Sequence, residues 1–174
     1  MTIIIKNIHS FLGYLYEQDY EKAFFNYQLS VKDPNSDDHY KLGCFYDIGK
    51  GVKQDYLKAI ELFELSAKQN NNPDAHYKLG CFYENGKGVK RDYLKAIKHY
   101  KLAADLNNSF ALYNLGCYYE EGVEIKQDYK KAIECFERAA KQNDPCSLYR
   151  LGCIYEDGKG VEQDYKIAIE YSMI

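Results

Sequence analysis

Apolar and polar positions alternate along the chain with the period of amphipathic α-helices, and the helical segments come in pairs. In the segment 74–84, the apolar residues Ala75, Leu79 and Phe82 fall on one broad side at helical spacing. A polar turn follows, and Asp92 then precedes a second apolar stripe at positions i, i+3, i+4 and i+7. Because aspartate is a preferred N-cap residue, the pattern predicts a helix over 74–84 and another that begins after Asp92.

The same pair of helices recurs along the chain in a fixed register. The tripeptide Leu-Gly-Cys occurs 36 or 37 residues apart, at 42–44, 79–81, 115–117 and 151–153. This register predicts one solenoid domain made of a degenerate leading repeat, three full repeats and a fourth repeat truncated in its second helix. The predicted boundaries are 1–36 for the leading repeat, then 37–73, 74–109, 110–145 and 146–174.

Glycine stands at two kinds of position in this repeat. One lies inside each first helix, at Gly43, Gly80, Gly116 and Gly152. Glycine in a helix costs about 1 kcal/mol relative to alanine, so its recurrence predicts that another helix approaches closely there. The others bound the turn between the two helices, as in Gly86-Lys87-Gly88, although Glu124 replaces the second turn glycine in the third full repeat.

The Gly-Lys-Gly turn shares residues with a phosphate-binding loop, but the match is incomplete. A phosphate loop needs Ser or Thr after the Lys and a strand before it, whereas here a helix precedes the turn. The sequence therefore predicts that Gly86 ends the first helix in the left-handed conformation and that Gly88 helps the chain reverse.

The combined pattern resembles the Sel1-like repeat of the tetratricopeptide superfamily. The residues that carry the resemblance are Ala75, Leu79-Gly80, Tyr83, the turn 86–89, Asp92, Lys95-Ala96 and Ala103-Ala104. The resemblance implies an all-α fold, a right-handed α-α superhelix of stacked two-helix repeats with the first helices lining the concave side. It also implies a scaffold that binds other proteins.

Charge and hydropathy exclude several classes of protein. The net charge is -3, and Lys and acidic residues are interleaved along the sequence. The sequence therefore lacks the basic stripe that would predict nucleic-acid binding. The sequence has no run of about 18 apolar residues, which a membrane-spanning helix would need. The opening residues do not resemble a signal peptide. The expected location is the cytoplasm, or the cytoplasm of a host cell if the protein is viral or an effector.

Four cysteines occupy one repeat position, namely Cys44, Cys81, Cys117 and Cys153. Packed helices lie about 8–10 Å apart, beyond the roughly 7 Å Cα separation that a disulfide allows, so the sequence predicts reduced thiols. The four histidines form no cluster with them at metal-ligand spacing, and no base is placed to activate a nucleophile. We expect no catalytic residues, no metal and no cofactor. The cysteines are instead expected to be small, weakly polar residues at positions where adjacent helices crowd together.

Tyrosine forms the most informative row of repeated residues. The predicted partner-binding residues on the concave face are Tyr40, Tyr77, Tyr113 and Tyr149, with the acidic Asp47, Glu84, Glu120 and Glu156. Tyrosine combines broad apolar contact with a polar tip and is enriched at binding interfaces. The alternative, that these tyrosines only pack between repeats, is equally compatible with the sequence. Because the Tyr-Cys-acid pattern dominates the face, a clamp for a carboxylate is not predicted, and a partner with Lys or Arg at its margin is favoured.

These patterns predict a non-enzymatic scaffold or adaptor that binds a partner peptide or helix on its concave face. One alternative is a dimer that forms through an uncapped C-terminal end, where Ile167, Ile169 and Tyr171 lie on the last helix. A second is a pathogen or viral effector that acts on host proteins. A hydrolase ranks last, since no catalytic group stands out.

Overall fold

The computed structural model describes residues 11–13, 15, 19–32 and 38–172, and every regular element within them is an α-helix. The helices are α1 (Tyr20–Ser30), α2 (His39–Ile48), α3 (Tyr56–Asn70), α4 (Pro73–Asn85), α5 (Tyr93–Asp105), α6 (Ser109–Glu121), α7 (Tyr129–Ala140), α8 (Pro145–Asp157) and α9 (Tyr165–Ser172). Helices α2, α4, α6 and α8 are the first helices of the predicted repeats. The all-α fold class predicted from the sequence is confirmed.

The N-termini of the second helices are capped as the sequence predicts. Asp92 has extended backbone, and its carboxylate accepts a hydrogen bond from the Lys95 N–H at 2.9 Å. The equivalent caps are Asp19, Asp55 and Asp128, each of which accepts from the backbone N–H three residues later. These bonds satisfy backbone donors that a helix terminus otherwise leaves unpaired.

The Gly-Lys-Gly turns end the first helices in the way predicted. Gly86 lies at φ 68°, in the left-handed region, and its N–H donates to the Phe82 carbonyl. The second turn glycine is not obligatory, because Glu124 adopts φ 57° at the equivalent position. The turn is therefore a helix reversal built from local backbone hydrogen bonds, and the resemblance to a phosphate loop ends there.

The chain divides into two compact units, residues 1–91 and residues 92–174. In the first unit, α2 packs against α1 and α3, and α4 packs against α3. Its core includes the rings of Phe63 and Phe82, whose centroids are 5.8 Å apart in an edge-on arrangement. In the second unit, α6 packs between α5 and α7, and α8 packs between α7 and α9. Phe136, Leu151 and Ile154 lie at the centre of that core.

The glycine inside the first helix is a point of close helix approach in both units. A Cβ atom added to Gly43 would lie 2.8 Å from Cε1 of Phe63 on the next helix. A Cβ added to Gly116 would lie 2.5 Å from Cε1 of Phe136. Atoms do not approach this closely in packed interiors, so the predicted close approach is confirmed at these two copies.

Candidate functional site

Each first helix presents a tyrosine, a cysteine and a carboxylate at positions i, i+4 and i+7. The four sets are Tyr40, Cys44 and Asp47; Tyr77, Cys81 and Glu84; Tyr113, Cys117 and Glu120; and Tyr149, Cys153 and Glu156. Residues at this spacing lie above one another on one side of an α-helix. We call this side of α2, α4, α6 and α8 the tyrosine face.

The tyrosines of this face combine packing with exposure. The ring of Tyr40 packs against Phe63 with centroids 5.7 Å apart, and Tyr113 packs against Phe136 at 5.9 Å. Both are partly buried, as is Tyr77, whereas Tyr149 is 69% exposed. Tyr40 and Tyr113 extend the core while part of each side chain remains accessible, so packing and binding are compatible.

Each of these tyrosines lies one turn before the cysteine of its set on the same helix. Burial raises the pKa of Tyr40 and of Tyr77, and the neighbouring cysteine raises each further. Burial also raises the pKa of the Cys44 and Cys117 thiols. These groups are therefore neutral near pH 7, and a thiol is a poor nucleophile in that state.

Two of the four carboxylates form ion pairs with the next repeat in the same unit. Lys78 Nζ lies 3.1 Å from Asp47 Oδ2, and the Asp47 side chain is only 10% exposed. In the second unit, Arg150 Nη1 lies 3.6 Å from Glu120 Oε2. Asp47 and Glu120 thus connect successive first helices, although the sequence predicts all four acids as part of a binding surface. Glu84 is partly buried, and Glu156 is exposed.

A surface cleft lies at the tyrosine face of the first unit, between α1, α2 and the turn after α2. Its volume is about 390 Å³, and its lining includes Tyr20, Tyr27, Tyr40, Lys41, Ile48 and Lys50. Lys50 Nζ donates to the Tyr20 hydroxyl at 3.3 Å and lies 4.7 Å from the centre of that ring. The sequence did not indicate Tyr20 or Lys50, because each belongs to an element other than the first helix of the repeat.

The second unit has a similar cleft between α6 and the first turns of α8. Its volume is about 430 Å³, and it is lined by Tyr113, Pro145, Cys146, Tyr149 and Arg150. Arg150 occupies the repeat position of Lys41, directly after the repeated tyrosine. Among the described residues that line the two clefts, none is an aspartate or a glutamate. Aromatic and cationic side chains therefore characterise both.

Other chemistry is sparse over the part of the chain that the structure describes. No group of three or more His, Cys, Asp or Glu side chains there is arranged to hold a metal ion. His39 and His76 are buried, and burial lowers the pKa of His76. The six cysteines are free thiols. None of the described helices is long and apolar enough to cross a membrane.

Comparison with solved structures places the fold among Sel1 repeat proteins. A Sel1 repeat protein from Oxalobacter formigenes is 30% identical with a TM-score of 0.87, over 97% of this chain and 71% of that one. A protective antigen of uropathogenic Escherichia coli with an SLR fold is 26% identical with a TM-score of 0.88. That match covers 95% of this chain but only 37% of the antigen. Cysteine rich protein B of Helicobacter pylori shares the fold. It is 22% identical with a TM-score of 0.56, over 70% of this chain and 92% of that one.

Sequence comparison identifies the same repeat along the chain. No curated protein matches the chain. The Sel1 repeat family matches five segments, residues 9–33, 36–71, 73–108, 109–144 and 147–172. These matches cover most of the sequence, and the last four coincide with the pairs of helices described above. The chain therefore belongs to the Sel1 repeat family.

Proposed function

We propose that this protein is a non-enzymatic adaptor that binds a peptide or helix of a partner protein through its tyrosine face. Sel1 repeats are generally protein–protein interaction modules. The observation that carries the proposal is the recurrence of a partly accessible tyrosine on all four first helices, with a cleft beside it in each unit. Tyrosine buries a large contact area at low conformational cost and still offers a hydroxyl, which suits a binding surface.

The exposure of Tyr149 favours binding over packing alone. A tyrosine that served only the core would be mostly buried, yet 69% of this side chain is exposed beside the cleft of the second unit. Arg150 and Pro145 lie in the same cleft, so an aromatic, a cationic and an apolar side chain converge there. This combination is enriched at protein interfaces and at their energetic centres.

The state of the thiols supports a non-enzymatic role. Cysteine catalysis requires a thiolate, and burial raises the pKa of Cys44 and Cys117 instead of lowering it. Free thiols also suit a reducing compartment, so we propose the cytoplasm as the location.

The test compares two exposed tyrosines of the same unit. Proximity labelling in the native cell identifies the partner, and the affinity of purified partner is then measured for Tyr149→Ala and for Tyr165→Ala. Tyr165 is 60% exposed but lies on α9, outside the tyrosine face. We expect Tyr149→Ala to weaken binding about tenfold or more, as at an interface hot spot, and Tyr165→Ala to leave binding unchanged. Equal affinities for both variants and the unmodified protein would show that the tyrosine face is not the binding surface.

Self-association through α9 is a second candidate function. Ile169 on this helix is 58% exposed, so an apolar side chain is available there for contact with a second copy. The ring of Tyr171 is instead stacked on Tyr155, with centroids 5.9 Å apart, so it contributes to its own repeat. Sedimentation at micromolar concentration should then show a dimer that Ile169→Asp converts to a monomer. A monomer before the substitution excludes this candidate.

A further inference from the structure

We infer that the cleft of the first unit binds an acidic segment of a partner protein, in which a carboxylate lies next to an apolar side chain. This inference rests on the proposed function and adds the chemistry of the partner. It reverses the sign of the charge that the sequence favours, since the acids of the tyrosine face predict a partner with Lys or Arg.

The acidic residue that α2 contributes to the tyrosine face is Asp47. Asp47 is one turn from Cys44 on the same helix, but its carboxylate is mostly buried and pairs with Lys78 at 3.1 Å. A carboxylate that is buried and neutralised by an ammonium group offers little attraction to a cation in solvent. The acidic row seen in the sequence is therefore largely cancelled beside this cleft.

The cleft also holds a cation from the turn that follows α2. This cation is Lys50, and Lys41 on α2 is a further part of the lining. An ammonium group has three N–H donors, and among the described residues Lys50 contacts the hydroxyl and ring of Tyr20. These contacts hold the ammonium at the cleft without neutralising it, so a carboxylate in the cleft gains a charged hydrogen-bond donor.

The lining of this cleft also has an apolar part. The rings of Tyr20, Tyr27 and Tyr40 form its walls, and Ile48 is 57% exposed at its edge. A volume of about 390 Å³ is at the small end of ligand pockets, enough for one or two side chains of a segment that lies across it. An apolar side chain that covers Ile48 would remove this exposed surface from water.

The cleft of the second unit shares only part of this arrangement. Tyr113 and Tyr149 line it together with Arg150. The Arg150 guanidinium is itself the partner of Glu120, so its charge is already balanced in part. The preference for an acidic segment is therefore expected of the cleft of the first unit alone.

The experiment uses three fluorescent probe peptides that differ only in charge and the full chain as receptor. The acidic probe is Gly-Asp-Glu-Phe-Glu-Asp-Gly, the neutral probe replaces Asp and Glu by Asn and Gln, and the basic probe replaces them by Lys and Arg. Fluorescence anisotropy should give the acidic probe an affinity about fivefold or more above that of the neutral probe. Raising the salt concentration from about 50 mM to about 500 mM should weaken only the acidic probe.

The matched variants place the effect in this cleft. Lys41→Gln combined with Lys50→Gln should lower the affinity for the acidic probe about tenfold and leave the neutral probe unchanged. Lys53→Gln is the control, because this exposed lysine lies three residues after Lys50 and outside the cleft lining. Circular dichroism checks that each variant keeps its helices, and the salt dependence of the unmodified protein tests the charge preference without any substitution.

Three results would overturn the inference: preference for the basic probe, equal affinity for acidic and neutral probes, or an acidic preference that survives the double substitution. They are distinguishable from failure of the proposed function, which is judged by Tyr149→Ala and the natural partner. If Tyr149→Ala abolishes partner binding but the acidic probe does not bind, the tyrosine face is a binding surface and the acidic preference is wrong.

Discussion

The substitution Gly116→Ala tests whether the repeated Leu-Gly pair exists to let two helices approach. Two effects oppose each other. Alanine is about 1 kcal/mol better than glycine in a helix, so propensity alone predicts a more stable protein. Against this, the new Cβ would lie 2.5, 2.8 and 2.9 Å from three atoms of the Phe136 ring. Overpacking of a core commonly costs about 1–3 kcal/mol.

The structure favours the upper part of that range. Phe136 is fully buried in the core of the second unit, and Tyr113 packs against its ring, so the ring has little room to move away. We therefore expect Gly116→Ala to lower the free energy of unfolding by about 1 kcal/mol after the gain in propensity is included. Gly43→Ala should cost less, because its Cβ would meet Phe63 at 2.8 Å and the third ring atom only at 3.3 Å.

Urea unfolding followed by circular dichroism measures both free energies, and a double-mutant cycle assigns the cause. Phe136→Leu removes the ring atoms that crowd the new methyl group, at its own cost in stability. In that background, Gly116→Ala should be neutral or stabilising. An increase of about 1 kcal/mol for Gly116→Ala in the unmodified protein would refute the close approach, because propensity would then act alone.

Three further outcomes test other features. The fully buried Ser66 hydroxyl has no hydrogen-bond partner among the described residues, so Ser66→Ala should raise the free energy of unfolding by about 1 kcal/mol. A lower free energy of unfolding measured in urea would contradict this. Arg138 donates to the Ala104 carbonyl at 2.6 Å and to Asn107 Oδ1 at 2.7 Å. Arg138→Ala should therefore lower the free energy of unfolding by about 1–2 kcal/mol, and Arg138→Lys should restore only part of that loss. Equal unfolding midpoints for Arg138→Ala and the unmodified protein would exclude this role. Hydrogen bonding to the Lys131 N–H lowers the pKa of Asp128 below 3.8, so its contribution to stability is full above that value and is lost as pH falls through the folded pKa. Asp128→Asn keeps a capping oxygen that does not titrate, and its thermal midpoint should fall less than that of the unmodified protein between about pH 5 and pH 2.

Local features of the fold could be predicted from the sequence because they depend on residues a few positions apart. Asp92 caps a helix through the N–H three residues later, and Gly86 ends one through the carbonyl four residues earlier. The two residues needed for each interaction lie within one turn, so helical periodicity is enough to place them. The close approach at Gly116 could be predicted as well, since a recurring cost in helix propensity requires a recurring structural reason, although the identity of its neighbour could not.

The charge and shape of the candidate site were decided only by the tertiary structure. Lys78 and Asp47 are 31 residues apart, and the sequence shows both without showing that one neutralises the other. The cleft likewise joins Tyr20 on α1 with Lys50 in the turn after α2. Such contacts depend on the distance and rotation between packed helices, which side-chain packing sets and which the period of a single helix does not contain. The sequence by itself therefore determined the repeat, its two helices and their caps, whereas the stacking of one repeat on the next determined that the tyrosine face presents cations beside its aromatic rings.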